Sequence, residues 1–186
     1  MEWARAEGYP VPRVHSVAGP DMVLERVSGP TMLESLAAGV MSPADGGRLL
    51  AALLRRLHAL TPPPDSPAGT AVRHRDLHPG NVVLAAAGPV VIDWRNSDVG
   101  EADVDVALTA LILAEVGCGS GPYAAPARAM LDAFSATTGP MDGRAVDAAV
   151  EYRVGDPSLE PADAALVPRA AEQLTRKVQT RPRSDR

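Results

Sequence analysis

The chain has 186 residues, with 18 basic and 23 acidic side chains, a net charge of −5 and a hydrophobic fraction of 46%. That length suits one domain or slightly more and can bury a sizeable core; the composition excludes wholesale disorder, and the single cysteine, Cys118, excludes a disulfide framework or a multi-cysteine zinc site. The longest apolar stretch, around 107–114, is too short for a membrane span and no signal-like segment opens the chain, so a cytoplasmic protein with no membrane partner is expected.

Residues 9–27 read as a hairpin. Val11, Val14 and Val17 supply one β-rich run, Met22 to Val27 the other, with Ala18-Gly19-Pro20-Asp21 as the turn. Pro10 and Pro12 confine the first strand to an edge. A helix then starts with Ser42 as N-cap, Pro43 at its first position and Asp45 in its first turn. Leu49, Leu50, Leu53, Leu54, Leu57 and Leu60 give it one apolar face. The proline-rich stretch 61–67 is a connector. Val82-Val83-Leu84 and Val90-Val91-Ile92 form a second hairpin around a five-residue turn, Ala85 to Pro89, with both strands well buried. Helices come next near 102–116, 124–138, 143–153 and 161–177. This plan is α+β. Residues 176–186 carry net +4, which leaves −9 on the rest; phosphates repel so acidic a body, and no nucleic-acid partner is expected.

Polar residues crowd both ends of the second hairpin: His74-Arg75-Asp76-Leu77-His78-Pro79-Gly80-Asn81 before it and Asp93-Trp94 after it. An antiparallel hairpin brings its entry and exit together, so Asn81 and Asp93 are expected to face each other with Asp76 curling over the same spot. Two carboxylates and a carboxamide are hard oxygen ligands that suit magnesium, and a carboxylate left free of the metal could accept a proton from a substrate hydroxyl. His74, Asp76 and His78 also leave a metallohydrolase open, although no second ligand cluster is visible.

These residues resemble the catalytic loop and metal-binding aspartate of the protein-kinase-like fold. The wording is closer to the aminoglycoside phosphotransferase family of small-molecule kinases, whose H-G-D-L-H-P-G-N loop is similar to HRDLHPGNVVL and whose I-D-W stretch is similar to Ile92-Asp93-Trp94 with Gly100 and Asp105-Val106-Ala107. MVLERVSG, residues 22–29, is similar to the family's fifth strand and hinge, and Gly8 to Pro12 to the entry of its fourth. The resemblance covers roughly 5–115. It implies ATP and Mg2+ as cofactors and a small-molecule acceptor. It makes Asp76 the catalytic base, Asn81 and Asp93 the magnesium ligands, and the backbone of Glu25 and Val27 the adenine-binding hinge. His74 and Asp105 would support the catalytic loop. It also implies a remnant of the N-lobe and hinge at 1–27, a kinase-like C-lobe at 28–177 and a basic disordered tail at 178–186.

Asp105 lies only 12 positions after Asp93, too close for a peptide-docking activation segment, which favours a small acceptor. The acidic balance suits a cationic one, aminoglycoside-like or an amino alcohol. Arg75 replaces the family's usual glycine and is expected to point outward. The 24 residues before Glu25 contain no glycine-rich phosphate loop and no lysine; Lys177 is the only lysine. Three readings stand: a truncated copy of an active phosphotransferase, with weak or no ATP binding and no turnover as it stands; a binding or regulatory half-kinase, which a second chain could complete; and a metallohydrolase.

Overall fold

The computed structural model describes residues 1–157 and 159–179. The basic tail expected at 178–186 lies outside the described residues from 180 onward, while 178 and 179 close the last helix.

A short helix, α1 (Glu2–Ala6), precedes an antiparallel hairpin of β1 (Val14–Ala18) and β2 (Asp21–Leu24). The first twelve residues are tied to the body of the molecule. Trp3 Nε1 donates to the Thr61 carbonyl (2.8 Å) and Tyr9 Oη to that of Leu53 (3.1 Å), while the Pro10 carbonyl accepts from the Val91 amide (2.8 Å). Ala4, Tyr9 and Val11 are buried in the common core.

Next comes a helix that the leucine pattern does not reveal, α2 (Met32–Ala37). Its signal is a capping box: the Thr31 hydroxyl accepts from the Glu34 amide, and the Glu34 carboxylate accepts from the Thr31 amide. Helix α3 (Pro43–His58) begins as its sequence dictates, with Ser42 Oγ accepting from the Asp45 amide (3.1 Å). Leu50, Leu53, Leu54 and Leu57 are buried along one face. Strand β3 (Ala71–Arg73) then leads, through a loop and a 3₁₀ turn at Pro79–Asn81, to the central hairpin of β4 (Val82–Ala85) and β5 (Gly88–Val91). The connecting loop is two residues long, not five, because Ala85 still pairs with Gly88, whose φ of 123° admits the tight reversal. Val82, Val83 and Val91 are buried, whereas Leu84, Pro89 and Val90 are only half-buried.

Strand β6 (Asp98–Gly100) pairs back with β3, so the short sheets are three antiparallel pairs. Neither β3 nor β6 is visible as a run of β formers. Helices α4 (Ala102–Cys118), α5 (Ala124–Thr138) and α6 (Gly143–Val154) match the expected positions closely. The expected helix over 161–177 is instead α7 (Pro161–Ala164) and α8 (Val167–Gln179). Pro168 has no amide hydrogen to donate back to the Ala164 carbonyl, so α7 cannot continue through it. Helix α4 is apolar around its whole circumference and is sheathed by α3, α5, α6 and α8. The fold is α+β, mostly helical around the central hairpin.

Helices α3 and α5 approach so closely at Gly47 that a Cβ there would overlap the Met130 carbonyl oxygen. Gly47→Ala is therefore expected to lower unfolding stability by about 1–3 kcal/mol. Gly121→Ala, where a Cβ meets open space, should stay within about 0.5 kcal/mol. Thermal denaturation of the two variants checks this; equal shifts would contradict the close-packing argument.

Candidate functional site

The loop after β3 is fixed from below by one carboxylate. Asp105 sits in the first turn of α4, fully buried, where the helix N-terminus favours negative charge. Its Oδ2 accepts from the His74 amide (3.0 Å) and lies 2.9 Å from His58 Nε2; its Oδ1 accepts from the Arg75 amide (2.7 Å). These bonds hold Arg75 at φ 65°, a left-handed conformation that a non-glycine residue keeps only when its surroundings impose it.

His74 is buried and both ring nitrogens are engaged. Nε2 faces the Ile92 carbonyl at 2.9 Å, and Nδ1 accepts from the Asp76 amide (3.3 Å). The ring meets Trp94 edge to face, with centroids 5.0 Å apart. Burial pushes its pKa below the usual histidine value, which matches a neutral ring donating through Nε2. No ring nitrogen of His74 is left for a metal. The Leu77 carbonyl accepts from Thr109 Oγ1 of α4 (3.0 Å), a further brace that no motif in the sequence signals.

Asp76 and Asn81 meet. Asn81 Nδ2 donates to the Asp76 carbonyl (2.8 Å) and to its Oδ2 (3.3 Å), which turns the amide oxygen of Asn81 away from that contact. His78 Nδ1 accepts from the Gly80 amide (3.1 Å), and Nε2 lies 3.9 Å from Asp76 Oδ1. Burial lowers the His78 pKa, opposed by the Asp76 charge.

Asp93 does not stand opposite Asn81 as expected. The Asn81 carbonyl accepts from the Ile92 amide (3.0 Å), and the chain turns left-handed at Asp93, φ 59°, one residue later. Among the described residues the exposed Asp93 carboxylate has no hydrogen bond. It lines a cleft of about 640 Å³ together with Glu25 and Val27. The Glu25 amide donates to the Arg13 carbonyl (2.8 Å) within the first hairpin, while the Glu25 carbonyl and Val27 amide have no partner among the described residues. Asp76 opens on a different cavity, of about 390 Å³, between α2, α4 and α5. Asp76 and Asp93 thus face separate spaces.

Arg75 does not point outward. Its guanidinium donates to Asp98 Oδ2 (2.6 Å) and lies 3.8 Å over the Tyr152 ring, and the same carboxylate receives a bidentate pair from Arg73 (2.8 and 2.7 Å). The left-handed turn and the waiting carboxylate on β6 draw the side chain inward. Among the described residues no cluster of three or more His, Cys, Asp or Glu is arranged to share a metal ion, and no helix is long and apolar enough to cross a membrane. The oxygens on offer to a hard cation are those of Asp93, the Asn81 amide and Asp76.

A kinase-like fold, with this loop ahead of a hairpin and an aspartate after it, is the class of protein that the geometry defines. Residues 63–145 match the model of the phosphotransferase enzyme family. Among solved structures, an aminoglycoside-3'-phosphotransferase of type VIII superposes with a TM-score of 0.51 at 20% identity, covering 94% of this chain and 77% of its own. A Ralstonia eutropha JMP134 protein assigned as an aminoglycoside phosphotransferase gives 0.49 at 14% identity, covering 94% and 78%. The amicoumacin kinase bound to AMP-PNP and Ca2+ gives 0.48 at 12%, covering 95% and 75%. No curated protein matches the sequence.

The bracing role of Asp105 is open to direct test. Asp105→Asn places an amide where two backbone N–H groups need acceptors, and should cost about 1–3 kcal/mol. Hydrogen exchange at His74 and Arg75 should accelerate with it; unchanged protection there would remove Asp105 from the bracing role.

Glu115, buried in α4, is bonded by Arg153 of α6 (3.1–3.2 Å). Burial pushes its carboxyl above the ordinary 4.5, while Arg153 pulls it down. A raised native pKa means the folded state keeps a proton that the unfolded chain has released, so stability falls as pH rises from about 4.5 through the native value. Arg153→Met removes the opposing pull and should cost about 3–5 kcal/mol at neutral pH. Part of that loss should be recovered on acidification toward pH 5. Melting curves that show equal losses at pH 5 and 7.5 would contradict the assignment.

Proposed function

We propose that this chain carries the catalytic-loop part of a small-molecule kinase that transfers the γ-phosphate of ATP to a hydroxyl, in a reaction dependent on Mg2+. The observation that carries the reading is the placement of Asp76: its carboxylate is bonded to Asn81, sits on a loop braced by Asp105, and lines a cavity of small-molecule size. In this reading Asp76 orients the acceptor hydroxyl and takes its proton as the oxygen attacks the γ-phosphorus and ADP leaves. The free Glu25 carbonyl and Val27 amide give the adenine edge one acceptor and one donor. The oxygens of Asn81 and Asp93 would hold the magnesium, which neutralises charge on the phosphates when bound. The buried, neutral His74 ring positions the Asp76 amide and moves no proton. The overall acidity of the chain is a reason to consider cationic acceptors, aminoglycoside-like or amino alcohols, but the wall of the Asp76 cavity weighs against them.

In a complete enzyme carrying a glycine-rich phosphate loop and its lysine, Asp76→Asn should lower kcat by about 10²–10⁴-fold while nucleotide affinity stays within about twofold. Asp93→Ala should abolish Mg2+-dependent nucleotide affinity in calorimetric titration. Nucleotide binding without any phosphoryl transfer to alcohols in that complete enzyme would replace this reading with that of a binding or regulatory half-kinase. Full turnover in Asp76→Asn would remove the base.

A further inference from the structure

We infer that the molecule accepted beside Asp76 is an uncharged, largely apolar alcohol, and not a polycation. This rests on the kinase reading for the reaction, but the class of ligand is argued from the cavity alone.

The wall is built by three helices. Leu33 and Leu36 come from α2, Ile112 and Val116 from α4, and Ala127 and Met130 from α5. Two of these lie open to solvent at the rim although they are large and apolar: Leu33 is 39% and Val116 43% exposed. Tyr123 joins them there, at 46%. Exposed apolar side chains that converge on one concavity next to a placed polar group are the pattern of a ligand site.

The titratable groups of the wall are few. Among the described residues Asp76 is its single carboxylate, and the proposed reaction uses it on the hydroxyl. His78 stands beside Asp76. Arg153 is the remaining charge, and it is spent on Glu115 and on Asp156, 3.8 Å away. An aminoglycoside would bring several ammonium groups against aliphatic surface and a guanidinium, with no spare carboxylate to receive them. Each buried ammonium would lose its hydration without a partner. An uncharged ligand loses nothing comparable and gains from covering the apolar wall. The volume, about 390 Å³, suits a compact molecule rather than a peptide segment.

The test reads binding without nucleotide, so it is separate from phosphoryl transfer. Octyl glucoside below its micelle concentration serves as the uncharged, apolar, hydroxyl-bearing probe and kanamycin as the polycation, both titrated by ligand-observed NMR. The octyl glucoside is expected to bind and kanamycin to bind at least about tenfold more weakly. Val116→Glu, at an exposed rim position, should weaken the octyl glucoside about tenfold, and Val116→Leu should restore it. Leu33→Glu provides the same test from α2, should the α4 variant fold poorly. Tighter binding of kanamycin than of octyl glucoside would overturn the inference. So would octyl glucoside affinity within about twofold of wild type in both glutamate variants, or a dimer, seen by sedimentation, that these substitutions dissociate while the probe affinity is unchanged. Absence of ATP-dependent transfer to any alcohol would count against the reaction proposed above, not against the ligand class.

Discussion

The loop that carries Asp76 and Asn81 hangs on one buried carboxylate. Asp105 gathers two consecutive backbone amides, of His74 and Arg75, and the imidazole of His58. A carboxylate at that depth needs partners, and the loop needs acceptors for amides that its left-handed turn cannot place in a ladder. Each requirement satisfies the other. The consequence is that three separate pieces of chain, the C-terminal end of α3, the loop after β3 and the first turn of α4, are locked in one geometry.

From that anchor the constraint passes outward through His74. Its ring spans from the Asp76 amide to the Ile92 carbonyl and rests on Trp94, so the loop before the central hairpin and the strand end after it cannot move independently. Trp94 in turn packs edge to face on Tyr9, with centroids 5.7 Å apart, which brings the N-terminal segment into the same stack. Asp76 and Asp93 are thereby held at the two ends of one short hairpin, each lining its own cavity. For a transfer between two bound molecules, that separation is useful: one carboxylate can meet an acceptor while the other meets a nucleotide and its cation.

Charge on the whole chain and charge at the site point in different directions. The sequence is acidic, with a net charge of −5, yet the Asp76 cavity contains one carboxylate and is otherwise mostly aliphatic. Several of the acids are spent elsewhere. Asp45, Asp142 and Glu34 take part in helix caps, Asp98 neutralises two arginines, and Glu115 is bonded by a third. Net charge governs solubility and long-range fields; it does not say which cavity an acid lines.

What the sequence determined by itself was local and periodic. The leucine spacing and the Ser42–Pro43 start defined α3, Gly139 closed α5, and the string from His74 to Asn81, with a hairpin and Asp93 after it, pointed to phosphoryl transfer. These signals rest on neighbours along the chain: a cap, a repeat, a motif. The tertiary structure decided what depends on distant residues. Three-residue strands such as β3 and β6 exist because Arg73 and Arg75 meet Asp98, not because of strand propensity. Arg75 turned inward for the same reason. Asp93 fell one residue past its expected partner because register is fixed by the pairing of the hairpin, not by the motif. The apolar character of the wall beside Asp76 also came only from the fold, since α2, α4 and α5 contribute to it from stretches nearly 100 residues apart and none carries a recognisable motif.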